Sequence, residues 1–209
     1  MSHSLNESRS LALKAARGAG YDWGIAQDAG RAVFWLWQAG QDGSRPLAEL
    51  LQYGYATALD AHSCVSLDMP LRGLDKLCPL LLGASLSDLA AKLKARPIEA
   101  FNVTCPVLLL PFAGMAARVL NQSVDIHIDG DQVTVDATRS TLRSRLPEHA
   151  EYVTLHLSTR RVPVEALGHR AYPSADTLRI LSEFAERTYA PATEESRVLG
   201  AGSGISDND

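Results

Sequence analysis

The sequence VDIHIDGDQVTVD, residues 124–136, decides the fold. Val124, Ile126 and Ile128 alternate with polar residues, and the alternation resumes after the Asp-Gly step. Because successive side chains of a strand point to opposite faces, each half is predicted to be a strand with one apolar face. An Asp-Gly step between two such strands favours a hairpin. Residues 153–157 alternate in the same way, so we predict an antiparallel sheet with one polar face.

The N-terminal third of the chain is predicted to form three helices. Ser4 and Glu7 have the spacing of a capping box that begins the first helix, and Gly20 ends it. Asp22 is a good N-cap for the second helix, and the third closes at Gly54. These helices precede the strands rather than alternating with them, which favours an α+β fold.

The rest of the chain completes this prediction. Residues 175–187 form a C-terminal helix that covers the helices and the antiparallel sheet. We predict a single α+β domain over residues 1–189, followed by a Gly-rich acidic tail over residues 190–209, whose composition by itself favours a disordered chain end. Residues 80–82 are predicted as a buried strand, and Ser85 or Ser87 as the cap of a short helix. The remaining apolar segments are predicted as extended at residues 98–103 and 107–110 and as helical at residues 112–121.

The composition limits the class of protein. With 46% hydrophobic residues, 21% charged residues and a net charge of -4, the sequence is typical of a globular protein without a basic surface for nucleic acid. The most apolar stretch, residues 107–120, is too short and too broken by Pro111 and Gly114 to span a bilayer. Three widely spaced cysteines and no visible secretory signal favour a cytoplasmic location.

The polar face of the predicted sheet is the first candidate site. It carries Asp125, His127, Asp136 and His156, and residues two apart on a strand share a face. Imidazole and carboxylate groups are metal ligands, so Asp125, His127 and His156 form a weaker candidate metal site. The more common interpretation is a solvated sheet face, since antiparallel sheets often keep one side in water.

The register of the hairpin decides whether this face needs a ligand. If residues 130–131 form the loop, Asp125 faces Asp136, and two like charges require a cation or a proton between them. If residues 129–130 form the loop, Asp125 faces Thr134 and no ligand is required. Both registers keep the apolar face intact, so the alternation leaves the two open.

The Gly-rich tail is the strongest candidate site in the sequence. Glycines that adopt positive φ can form a nest of backbone amides that holds an anion, and Arg197 can bind a carboxylate with two hydrogen bonds. Asp207 and Asp209 are hard oxygen ligands, suited to a divalent cation as cofactor or to acid–base catalysis. The glycines predicted to bind the ligand are Gly200, Gly202 and Gly204.

The turn after the first helix is predicted to cooperate with this tail. Lys14 and Arg17 lie in the last helical turn, where the helix dipole favours positive charge, and Arg17 would add charge to the ligand site. His62 and Cys64 lack a surrounding family motif, so we interpret them as structural.

Both ends of the chain resemble a known bacterial family. The segments 5–7, 14–20 and 23–32 are similar to the opening of a family built around a domain of unknown function (DUF3726-like). The segments 191–197 and 200–209 resemble that family's C-terminal pattern, with Ser203 where alanine is expected. The resemblance brings no activity, cofactor or partner, but it implies that the tail is an ordered, functional part of the protein.

These observations favour a small enzyme or binding protein for a polar, anionic small molecule that is held with the help of the tail. The alternative is a non-catalytic subunit or interaction module whose tail and aromatic second helix dock a partner or a second copy of the chain. In the second case the protein is a homo-oligomer. Neither nucleic acid nor a membrane is expected as a partner.

Overall fold

The computed structural model describes residues 2–189, and it confirms the predicted α+β class. In chain order the elements are β1 (His3–Ser4), α1 (Leu5–Ala19), α2 (Trp23–Gln38), α3 (Ser44–Gln52), α4 (Leu59–His62), α5 (Pro79–Leu89), β2 (Ile98–Thr104), α6 (Leu110–Leu120), β3 (Val124–Ile128), β4 (Asp131–Val135), β5 (His149–Leu157), β6 (Arg170–Ala171) and α7 (Ala175–Glu186). Short 3₁₀ helices cover Tyr55–Thr57, Ala90–Lys94 and Pro106–Leu109.

The N-terminal helices begin and end where their caps predict. The hydroxyl of Ser4 accepts a hydrogen bond from the backbone N–H of Glu7, and the Glu7 carboxylate accepts one from the N–H of Ser4, which completes the capping box. Gly20 ends α1 with a φ of 110°. The Asp22 side chain caps α2 by accepting from Ile25. Helix α1 packs against both α2 and α7.

The main sheet has four antiparallel strands in the order β2-β5-β3-β4. In the hairpin, Asp125 pairs with Thr134 and Ile128 pairs with Asp131, so the loop consists of Asp129 and Gly130. Both loop residues have positive φ, at 48° and 101°, which suits an Asp-Gly step. The register with Asp125 opposite Asp136 does not occur. No cation is therefore needed between these two carboxylates.

Three predictions for the middle of the chain are wrong. Residues 80–82 belong to α5 rather than to a strand, and Ser85 and Ser87 lie inside this helix, where their hydroxyls donate to the carbonyls of Leu81 and Gly83. Residues 107–110 are helical rather than extended. Both segments are apolar on all sides because they are buried on all sides, so no periodicity separates a helix from a strand. Proline in the first turn of each helix was the available signal.

The buried side chains of the N-terminal helices, the sheet and α7 form one hydrophobic cluster. Val124, Ile126 and Ile128 of β3 reach it from the sheet, and Leu181 and Ala185 reach it from α7. The predicted tail, residues 190–209, lies outside the described residues. Within residues 2–189, no helix has the length and apolarity that crossing a membrane requires.

Candidate ligand-binding cleft

The structure brings together three of the four candidate residues on the sheet face. Asp125 is buried, and one of its carboxylate oxygens accepts a hydrogen bond of 2.6 Å from the Thr134 hydroxyl. Its other oxygen lies 3.9 Å from Nε2 of His156. The rings of His127 and His156 stack with their centroids 4.9 Å apart. Asp136 follows the end of β4 and instead accepts hydrogen bonds from the backbone of its own turn.

This group does not have the arrangement of a metal site. Among residues 2–189, no three His, Cys, Asp or Glu side chains are placed so that they could hold a metal ion together. The neighbourhood of Asp125 explains its burial without a metal, because the Thr134 hydroxyl satisfies one oxygen and His156 stands near the other. The structure therefore gives no support to a metal bound by Asp125, His127 and His156.

Arg17 already has partners within the chain. Its guanidinium donates to the backbone carbonyl of Tyr21 and lies over the indole of Trp23, 4.7 Å from the ring centroid. Nearby, Lys14 Nζ donates to the hydroxyl of Tyr189, the last residue described, at 3.0 Å. The other tail candidates lie outside the described residues; they are Arg197, Gly200, Gly202, Gly204, Asp207 and Asp209.

His62 and the cysteines occupy structural positions. Nδ1 of His62 is 2.8 Å from the backbone carbonyl of Lys76, and the imidazole stacks on Tyr55 at a centroid distance of 3.8 Å. Burial raises the pKa of the Cys64 thiol, and burial also raises the pKa of Cys78. A raised pKa keeps these thiols protonated at neutral pH, whereas a nucleophilic cysteine needs a thiolate.

A different part of the molecule has the shape and charge of a ligand site. A cleft of about 270 Å³ lies between α2 and α6, with one end of α1 and the loop after β4 closing its sides. We call it the arginine cleft. Its walls combine aromatic and apolar side chains with three arginines; the full lining is Arg9, Asp28, Arg31, Ala32, Phe34, Trp35, Gln38, Pro111, Phe112, Met115, Arg118, Ala137 and Thr138.

Helix α2 supplies one wall of the arginine cleft. Asp28, Arg31, Trp35 and Gln38 are spaced by three or four residues, so they lie along one face of the helix. The Trp35 indole is fixed in place, because its Nε1 donates to the backbone carbonyl of Ala137 at 2.9 Å. A Cβ at Gly114 of α6 would lie only 3.0 Å from that Nε1, so the absence of a side chain there allows the indole its position.

Helix α6 supplies the opposite wall. Phe112, Met115 and Arg118 are again spaced by three residues and share one face. The Phe112 ring packs directly on the backbone of α5, where a Cβ at Gly83 would lie 2.3 Å from a ring carbon. The apolar part of this wall is therefore set by close packing and has little freedom to rearrange.

The rim of the arginine cleft carries excess positive charge. Arg31 pairs with Asp28 at 3.0 Å. By contrast, Arg9 and Arg118 are exposed and form no ion pair with any residue of the described chain. Arg9 reaches this rim because α1 and α2 approach closely; a Cβ at Gly30 would lie 2.9 Å from the Arg9 carbonyl oxygen. Within residues 2–189, these two guanidinium groups are left without an acidic partner.

A second cleft, of about 280 Å³, differs in its electrostatics. It lies beside α3 and residues 142–148, and four of its charged side chains are joined in ion pairs with one another. Arg45 contacts Glu49 at 2.8 Å, and Arg145 contacts Glu148 at 2.8 Å and Glu49 at 3.3 Å. Because these charges already have partners, this cleft has less to offer a charged ligand than the arginine cleft.

The arginine cleft was not predicted from the sequence. Trp35 belongs to the aromatic second helix, which the sequence assigned to docking a partner, and Arg9 and Arg118 were assigned no role in binding. The sequence does contain one indication of this cleft: in both α2 and α6, an arginine and an aromatic residue are spaced so that they lie on the same side of the helix. What the sequence does not contain is the contact between the two helices.

Comparison with known proteins supports one part of the sequence interpretation. Residues 3–94 match the model of a family described as "Protein of unknown function (DUF3726)". No curated protein and no solved structure matches the chain. The matched segment contains Arg9, Arg31 and Trp35 but ends before α6, and the C-terminal resemblance lies beyond it. Over residues 3–94, the chain is therefore similar to a family defined by a domain of unknown function, DUF3726.

Proposed function

We propose that this protein binds a small organic anion with a flat apolar ring, and that it does so in the arginine cleft. The observation that carries the proposal is the combination, in one cleft, of the Trp35 and Phe112 wall with two arginines that have no ion-pair partner among residues 2–189. An apolar cleft with few convergent polar groups is the usual form of a small-molecule site.

The apolar wall of the cleft matches the ring of the proposed ligand, and the arginines at its rim match the anionic group. The apolar wall, formed by the half-buried Phe34 and Met115 beside the buried Trp35 and Phe112, removes an apolar ring from water, which stabilises the complex through buried area. The guanidinium groups of Arg9 and Arg118 can each donate two hydrogen bonds to a carboxylate or phosphate. Asp28 neutralises only Arg31, so the rim keeps its attraction for an anion.

The anion is placed at Arg9 and Arg118 rather than at Arg17, which the sequence favoured. The Arg17 guanidinium is engaged by the Tyr21 carbonyl and the Trp23 ring, so binding there would displace existing contacts. A contribution from Arg197 and the tail glycines, and a divalent cation at Asp207 and Asp209, remain predictions about residues outside the described part of the chain.

The alternative function, a module that docks a partner through α2, has less support. Trp35 and Trp37 are both buried within the chain itself, and Nε1 of Trp37 donates to the Ser44 hydroxyl. The wide aromatic surface that suggested a docking helix is therefore largely covered by neighbouring elements. Trp23, at the start of α2, is the exposed tryptophan.

The test measures binding of para-nitrobenzoate by calorimetry to the full-length protein and to the double variant Arg9→Gln/Arg118→Gln. A charge-assisted hydrogen bond contributes about 1.5 to 3 kcal/mol, so we expect the variant to bind at least about tenfold more weakly. Arg160→Gln/Arg161→Gln is the matched control, because it removes the same charge from an exposed segment away from the cleft. Equal weakening in both variants, or no binding to the wild type, would contradict the proposal.

A further inference from the structure

The arginine cleft continues into a second cavity, and this continuation narrows the class of ligand. We propose that the ligand is an aryl glycoside of a sugar acid, in which a flat ring is joined to a sugar that carries both a carboxylate and hydroxyl groups. The ring occupies the arginine cleft, the acid group meets Arg118, and the hydroxyl groups enter the second cavity. This inference rests on the proposed function, which supplies the ring and the anion.

The two cavities share part of their walls. The second cavity, of about 350 Å³, is lined by Ala117, Arg118, Asn121, Gln122, Ser123, Asp136, Ala137 and Thr138. Three of these residues, Arg118, Ala137 and Thr138, also line the arginine cleft. Arg118 therefore stands at the junction, with aromatic side chains on one side and polar side chains on the other.

The loop between the cavities is held in a fixed shape. Oδ1 of Asp136 accepts hydrogen bonds from the backbone N–H groups of Thr138 and Arg139, at 2.8 and 2.7 Å. This turn presents the Ala137 carbonyl to Trp35 and places Thr138 between the two cavities. The same residue that fixes the turn thus contributes to the wall of the polar cavity.

The chemistry of the second cavity selects hydroxyl groups rather than a second anion. Oδ2 of Asp136 has no hydrogen-bond donor among residues 2–189, which leaves a charged acceptor for a ligand hydroxyl. The cavity also lies at the C-terminus of α6, where Asn121 is the cap and where the helix dipole is negative. Both features repel an anion and attract O–H donors, so the acid group stays at Arg118 while neutral hydroxyl groups pass beyond it.

Side-chain amides and hydroxyls complete a surface for a sugar-like group. The side chains of Asn121 and Ser123 can donate and accept hydrogen bonds, whereas Nε2 of Gln122 already donates to the Ser158 carbonyl at 3.1 Å and leaves Oε1 as an acceptor. Asn121 has a φ of 51°, a left-handed conformation that glycine also adopts without strain. Its side chain can therefore be removed while the backbone of the cap keeps its shape.

The experiment compares three probes on the full-length protein by calorimetry. Para-nitrophenyl β-glucuronide carries ring, carboxylate and hydroxyl groups; para-nitrobenzoate lacks the sugar; para-nitrophenyl β-glucoside lacks the carboxylate. Because each neutral hydrogen bond contributes about 0.5 to 1.5 kcal/mol, two or more of them should make the glucuronide bind about tenfold more tightly than para-nitrobenzoate. The glucoside should bind more weakly than the glucuronide, since it leaves Arg118 without an anion.

A variant locates the effect in the second cavity. Asn121→Gly/Ser123→Ala should remove most of the glucuronide's advantage and leave para-nitrobenzoate binding unchanged, which also shows that the variant is folded. A glucuronide that binds no more tightly than para-nitrobenzoate, or an advantage that survives in the variant, would overturn this inference alone. Failure of para-nitrobenzoate to bind the wild type would overturn the proposed function itself.

Discussion

Buried hydroxyl and thiol groups form hydrogen-bonded pairs in the N-terminal half of the core. The Tyr21 hydroxyl lies 3.3 Å from Cys78 Sγ, and the Tyr55 hydroxyl lies 2.8 Å from Oγ1 of Thr104. Burial raises the pKa of Tyr21, because the core disfavours a phenolate. Burial, together with the nearby carboxylates of Glu49 and Glu148, raises the pKa of Cys105 to about 12. These groups must stay protonated as long as the chain is folded.

This requirement predicts a loss of stability in alkali. In the unfolded chain Cys105 would lose its proton near its ordinary pKa of 9.0, whereas in the folded protein it holds the proton up to about 12. Above pH 9 the unfolded state therefore binds fewer protons, and the free energy of unfolding falls as the pH rises. Urea denaturation at a series of pH values between 7 and 11 should show this fall. In Cys105→Ala the free energy of unfolding should decrease less steeply with pH. Identical slopes in the two proteins would contradict the burial of this thiol.

At the scale of elements, close approach between helices builds the N-terminal layer. A Cβ at Gly18 of α1 would lie 1.7 Å from the carbonyl oxygen of Phe184 in α7. A Cβ at Gly30 of α2 would lie 2.9 Å from the Arg9 carbonyl oxygen in α1. Both obstacles are backbone atoms, which cannot move without moving a helix. These two glycines therefore set the distances from α1 to its two neighbours.

Gly18→Ala should separate α1 from α7. The added methyl group has no space, and overpacking of this kind destabilises a protein by about 1 to 3 kcal/mol, occasionally more. The matched control is Gly24→Ala near the start of α2, where the nearest atom is 3.4 Å away and alanine favours the helix by up to about 1 kcal/mol. Urea denaturation followed by circular dichroism should show a lower midpoint for Gly18→Ala only. A Gly18→Ala protein as stable as the control would refute the close packing of α7 on α1.

The elements differ in how far the sequence predicts them, and the difference is physical. The capping residues Ser4 and Asp22 accept hydrogen bonds from amides three residues away. The local sequence is therefore enough to predict where α1 and α2 begin. The hairpin follows from alternation plus a turn, although only the structure selects its register. The first part of helix α5, residues 80–82, was mistaken for a strand because an apolar run lacks the pattern that identifies a helix.

At the scale of the whole molecule, the candidate site depends on contacts that no local pattern contains. The Trp35 indole bonds to a carbonyl 102 residues further along the chain, and the arginine cleft joins residues of α1, α2 and α6 with the loop after β4. The sequence could supply the classes of ligand group, an arginine for an anion and an aromatic residue for a ring. It could not say which arginine lies beside which aromatic residue, so it favoured Arg17, whose guanidinium stacks on Trp23.

The central claim, that an aromatic anion binds in the arginine cleft, is tested most directly by a titration of the isotope-labelled full-length protein with para-nitrobenzoate, followed by nuclear magnetic resonance. We predict that the Nε1–H signal of Trp35 and the guanidinium signals of Arg9 and Arg118 shift together as the ligand is added. The signals of Arg45 and Arg145, in the second cleft, should stay in place. Shifts confined to Arg45 and Arg145, with Trp35 and Arg118 unchanged, would contradict the account.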